Sequence, residues 1–177
     1  ISMLTTNTPA RGGYLGDTFD AFQVGDPQQP VPDVTARVDT ERDEKRRSDL
    51  FSVVEQEFAR GRLRNLDEKK TLHQLSMKRA VRMMASSQLA AFSLKAVPQT
   101  KKDRFGDTSF GRACLAATQL IQVGVRCVEI TLGGWDSHIN NTPAQASRTK
   151  IMDAAMSSML AELDETGLLE STIVVWG

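Results

Sequence analysis

The sequence predicts an α/β fold in which a parallel strand–helix–strand unit is joined to a helical hairpin. Three observations predict it. Gly124 to Gly134, GVRCVEITLGG, is a strand-like apolar run closed by two glycines. A helical pattern from about Ala146 to Glu165 follows, and then a second short apolar run, Thr172 to Trp176 (TIVVW). Ahead of both, residues 40–91 hold two amphipathic helical patterns. Strand, helix and strand joined by this length of chain imply a right-handed crossover and a parallel sheet, with the hairpin laid against it.

A chain of 177 residues has room for one domain with a real core. Its 22 Lys and Arg balance 22 Asp and Glu, so no global field favours nucleic acid or an anionic membrane. No stretch approaches the roughly 18 apolar residues of a membrane span, and no signal peptide or lipidation motif is visible. Cys114 and Cys127 have no metal-site spacing. Each falls in an apolar pattern, so both read as small buried side chains. The chain opens at Ile1 and stops at Trp176-Gly177, where a core strand would end. It therefore reads as a partial domain, 1–177, truncated at both ends.

Residues 1–36 carry most of the glycines and prolines of the first half and predict an extended segment wrapped on a surface. Tyr14, Leu15, Phe19 and Phe22 are its candidate anchors. Asp17 and Asp20 match no calcium loop and read as solvated turn residues. Thr40 with Asp43 resembles a capping box opening a helix to about Arg60, with Leu50, Phe51, Val54 and Phe58 as its stripe. Asn65 with Glu68 starts a second helix, to about Ala91. His73 lies beside that helix's stripe and reads as a histidine hydrogen-bonded within the fold. Phe92 to Asp107 reads as a loop whose Lys101, Lys102 and Arg104 form a small, exposed basic cluster. Thr108 or Ser109 caps a third helix, with Phe110, Cys114, Leu115, Ala117, Leu120 and Ile121 apolar, ending near Gly124. In the strand, Val125, Cys127, Val128, Ile130 and Leu132 suit a position covered on both faces. The following helix has Ile151, Ala155, Met159 and Leu163 at four-residue spacing, widened by Met152, Met156 and Leu160. Gly167 is a natural C′ residue. Residues 109–177 thus form the core unit.

Function rests on GGWDSH, Gly133 to His138. An open α/β sheet places ligands in loops at the carboxyl ends of its strands. Asp136 and His138 flank Ser137, so in extended backbone both side chains point the same way, and the glycines allow close approach to a ligand. Two ligands are too few for a closed metal site, and no third is obvious: His73 is distant in sequence and Glu129 lies inside the strand. On the residues alone, a structural turn is the better reading. Ser137 has no base placed to activate it and is rejected as a nucleophile.

Ser109 to Asn141, SFGRACLAATQLIQVGVRCVEITLGGWDSHINN, closely resembles the bacterial sulfatase-like domain-of-unknown-function family 1501. Gly167 to Gly177 and Gly12 to Phe22 resemble that family's flanking blocks. The family looks related to the alkaline phosphatase and sulfatase superfamily. That resemblance implies a partial alkaline-phosphatase-like three-layer α/β/α fold. It also implies that Asp136 and His138 bind one divalent metal ion, with zinc, manganese or calcium as candidates. The next acidic ligand would fall beyond Gly177 and the nucleophile before Ile1. The superfamily usually separates its Asp and His by three residues, whereas here only Ser137 intervenes.

The resemblance makes the chain the central segment of a metal-dependent sulfatase- or phosphatase-like hydrolase acting on small-molecule or glycan sulfate or phosphate esters. Alone, the segment would be inactive. Family members often carry a twin-arginine signal, which implies an exported, periplasmic parent. The alternative is a non-catalytic binding or structural protein of the same fold. A third reading, a helical interaction module, rests on residues 40–91.

Overall fold

The computed structural model describes residues 1–4, 12–16, 19–29, 31 and 86–177, together with positions 45, 49, 50, 52, 53 and 56. The chain divides into two compact units, one of Ile1–Val31 with Ser87–Gly177 and one of Pro32–Ser86. In the second unit Lys45, Asp49, Leu50, Ser52, Val53 and Gln56 are helical, and Ser52 Oγ donates to the Asp49 carbonyl at 2.7 Å. These positions fall within the first helix expected for the hairpin. Its second helix, His73 included, lies outside the described residues. The tail of that expected helix belongs to the first unit, where Ser87–Phe92 is a 3-10 helix.

The first unit is mixed α/β. Strands β1 (Ser2–Met3), β2 (Gln23–Val24) and β3 (Glu129–Ile130) form a small parallel sheet in the order β2-β1-β3. Ser2 aligns with Gln23 and Glu129, and Met3 with Val24 and Ile130. The amino-terminal segment thus supplies the central strand, where a surface wrapping was expected. Met3 and Val24 are buried in the core, while Tyr14, Leu15 and Phe19 are exposed and Phe22 meets Phe92 edge-on at 6.3 Å. Backbone pairing drew β1 inward: Ser2 N–H donates to Phe22 at 2.8 Å and Thr131 N–H to Met3 at 3.1 Å.

Around β3 only one face is covered. Val128, Ile130 and Leu132 pack on the core, whereas Cys127, Glu129 and Thr131 are exposed. Two features therefore correct the sequence reading: the strand is half-buried, and Cys127 is not a buried side chain. The physical reason is the period of two, which turns the polar Glu129 and Thr131, and Cys127 with them, to the opposite face. Glu129 is held there as the acceptor of a 2.7 Å hydrogen bond from Ser2 Oγ.

Among the described residues three α-helices complete the unit. Helix α1 (Gln99–Phe105) occupies what reads in sequence as a loop. Pro98 precedes its first turn, Phe105 is buried at its end, and Gly106 turns the chain away at φ +81°. Helix α2 (Ser109–Gln122) opens at Thr108, whose side chain accepts from the Gly111 N–H at 3.0 Å, the predicted cap. Ala113 to Thr118 are all buried, so α2 is the central helix of the unit rather than a one-sided surface helix. Burial pushes the Cys114 thiol up to about 12, which keeps it an unreactive thiol. Helix α3 (Asn141–Glu165) buries Ala155, Met159 and Leu163 at the predicted spacing, and starts several residues earlier than expected. The Lys101 and Arg104 charges face acidic partners on α3, Glu162 and Glu165, so part of the basic cluster is an interhelical seam.

Thr172 to Trp176, expected as the second strand of the crossover unit, is not a strand in this structure. It leaves the 3-10 turn Leu169–Ser171 in open chain, with Ile173, Val175 and Trp176 exposed. An apolar strand is stabilised only when its backbone is paired and its faces are covered, and the described residues provide neither.

Arg112 ties α2 to the turn after β2. Its Nε donates to Asp26 Oδ1 at 3.0 Å and its Nη2 to Oδ2 at 2.7 Å, while Nη1 reaches Asp107 at 3.1 Å. The side-chain hydrogen bond from Arg112 holds the Asp26 carboxyl below its ordinary value of 3.8. A carboxyl whose pKa is depressed by folding stabilises the fold above its unfolded value and loses that contribution as pH falls through its folded value. Arg112→Met is therefore expected to cost about 1 kcal/mol at neutral pH, the scale of a partly exposed bidentate pair. The variant and the wild type should converge in stability at pH values below the folded pKa of Asp26. Urea midpoints measured across the acid range check this, and a constant gap down to the lowest pH would contradict it.

Candidate loop site

β3 delivers the chain into Gly133–His138 at its carboxyl end, beside the start of α3. Gly134 sits at φ +89°, a conformation that a side chain disfavours, and it turns the following residues back over α3. Asp136 and His138 come together there, with Oδ1 and Nε2 3.2 Å apart. Both side chains are open to solvent, at 86% and 85% exposure, and each meets the other. The loop thus brings a carboxylate and an imidazole into contact.

Helix α3 holds the loop from below. Ser137 Oγ donates to Asn141 Oδ1 at 2.7 Å, and Gln145 Nε2 donates to the Trp135 carbonyl at 2.7 Å and to Ser137 Oγ at 3.2 Å. Ser137 is thereby committed to the scaffold and has no base beside it. A turn further along, the Arg148 guanidinium lies against Gly134: a Cβ added at Gly134 would fall 2.6 Å from Nη2 and 2.7 Å from Nε. Trp135 meets Trp176 edge-to-face at 6.5 Å, which brings the end of the chain to the same loop.

Asn141, Gln145 and Arg148 are four and three residues apart, a single stripe of one helix. A sequence model described as "Protein of unknown function (DUF1501)" matches residues 3–177. The chain belongs to the DUF1501 family. No curated protein and no solved structure matches it.

Within this DUF1501 chain the described residues bring no third His, Cys, Asp or Glu to Asp136 and His138. Glu129 is taken by Ser2 on the sheet. An oxygen and a nitrogen donor from one short loop can supply two corners of a coordination sphere, and further donors are needed to close it. Sequence reasoning missed Asn141, Gln145 and Arg148. Their signal was a polar stripe on the first two turns of α3, which marks a helix face engaged with something other than the apolar core.

Proposed function

We propose that this chain contributes to a metal-dependent sulfatase- or phosphatase-like ester hydrolase with an alkaline-phosphatase-like three-layer fold. In this reading Asp136 and His138 hold one divalent ion. The supporting observation is the 3.2 Å approach of Asp136 Oδ1 to His138 Nε2 on an exposed loop at the carboxyl end of a parallel strand, where α/β sheets carry ligands. The mixed oxygen and nitrogen donors suit zinc or manganese better than calcium, which prefers oxygen ligands throughout. When bound, such an ion polarises the ester's oxygens and lowers the pKa of a bound water. The chain's own residues orient its ligands: Gln145 fixes the backbone at Trp135, and Asn141 fixes Ser137 between the two donors.

That the described residues supply only two donors favours a second reading, a binding or structural protein in which the loop orders a surface. Metal content separates the two. Mass spectrometry on the full-length protein is expected to find a near-stoichiometric divalent ion, lost in Asp136→Ala and His138→Ala variants whose circular dichroism is unchanged. A wild-type protein that stays metal-free after reconstitution with zinc, manganese and calcium sinks the hydrolase reading and leaves the scaffold.

A further inference from the structure

We propose that Arg148, packed from α3 against Gly134, is an anion-binding residue that grips the tetrahedral oxyanion head of a sulfate or phosphate ester at the loop that carries Asp136 and His138. The substrate class rests on the hydrolase reading above, whereas the anion site stands on the following geometry. Arg148 is half-buried, its guanidinium is pressed over Gly134, and it makes no ion pair or hydrogen bond among the described residues. The other arginines whose guanidinium groups meet the body of this unit are used: Arg112 on Asp26 and Asp107, Arg104 on Glu165. A half-buried guanidinium has lost part of its hydration and regains it best from an anion, and its planar fork of donors matches two oxygens of a tetrahedral group.

Position supports the assignment. Arg148 continues the stripe on which Asn141 and Gln145 hold the loop, and its guanidinium packs against the loop backbone at Gly134. Asp136, two residues on from Gly134, puts a carboxylate on the same loop, which disfavours an anion there. A cation packed against the loop offsets that repulsion, and Arg148 of α3 lies against Gly134. The missing side chain at Gly134 leaves room for the fork to lie close to the backbone, which any Cβ would force to move.

The test is equilibrium dialysis of the full-length protein against radiolabelled inorganic sulfate and, separately, inorganic phosphate, at constant ionic strength set with chloride. Metal content is measured on the same samples. Wild type is expected to bind at least one of the two saturably, and Arg148→Gln to bind it about tenfold or more weakly with metal content unchanged. Arg148→Lys, which keeps the charge but loses the fork, should fall between them and remains decisive if the glutamine variant does not fold. Preference between the two labelled ions tells a sulfate site from a phosphate site. Equal binding by wild type and either folded variant, or no saturable binding by wild type, overturns the assignment. Arg148-dependent anion binding in a protein that never takes up metal would sink the hydrolase reading and leave the anion site standing.

Discussion

Gly111→Ala is expected to destabilise the chain by about 2–3 kcal/mol, although alanine is the better helix former by about 1 kcal/mol. Gly111 lies in the first turn of α2, where the chain has just turned out of α1. A Cβ at this position would lie 2.2 Å from the Phe105 carbonyl oxygen and 2.5 Å from that of Gly106. Both are backbone atoms, so no side chain can swing aside to relieve the overlap. The corner between α1 and α2 would have to open, drawing the buried Phe105 with it and loosening the Thr108 cap that Gly111 itself donates to. Gly133→Ala is the matched control, since nothing lies within 4 Å of its added Cβ. Urea unfolding should separate the two, with a melting temperature for Gly111→Ala lower by roughly 5–10 °C. Indistinguishable midpoints would mean that the corner is looser than these distances imply.

Gly111 also illustrates what the sequence could convey. A lone glycine inside a helical pattern signals close packing, but the atoms it packs against belong to a segment that read as a loop. Helix α1 escaped notice because QTKKDRF buries a single apolar residue, Phe105, and a helix with one inward anchor leaves no periodic trace. Helices α2 and α3 were legible because each repeats its apolar positions over three turns or more, and because Thr108 supplies a cap of the expected kind. Strands β1 and β2 are two residues long, too short for any alternation to show, and their place in the sheet comes from long-range pairing with one another and with β3. The strand around β3 was legible as a strand. Its one-sided burial was encoded in the alternation of Val128, Ile130 and Leu132 with Cys127, Glu129 and Thr131, which an apolar count obscures.

At the loop the division is similar. Asp136 and His138 could be paired from residue type and spacing, because two side chains one residue apart meet through local chain alone. Asn141, Gln145 and Arg148 act across a turn of chain that had to fold back first, and Gly134 at φ +89° makes that fold. Polar residues on a helix start are ambiguous in sequence between solvent and a partner, and only the register of α3 against the loop decides between them.

The interhelical seam yields the second large effect. Glu162 of α3 is buried, its side chain 8% exposed, and its carboxylate takes a hydrogen-bonded ion pair from Lys101 of α1, whose side chain is 30% exposed. Removing only the cation strands a desolvated carboxylate, which costs far more than the net worth of the pair. Lys101→Met is therefore expected to lose about 2 kcal/mol, less than for a fully buried pair because water still reaches the lysine end. Adding Glu162→Leu to that variant should recover most of the loss, since two apolar side chains then meet where two charges did. Arg104→Met, which breaks the neighbouring pair with Glu165 at 3.2 Å, should cost about 0.5 kcal/mol or less, because those side chains are 45% and 58% exposed. Salt sharpens the contrast: the Arg104 effect should fade at high ionic strength, while the Lys101 effect persists in a site that ions screen poorly. Equal losses from Lys101→Met and Arg104→Met, or a double variant no better than Lys101→Met, would show that Glu162 reaches water in the folded chain. Burial, not the presence of opposite charges, then decides which rung of the seam matters, and it falls at the turn of α3 that also buries Leu163 and Met159.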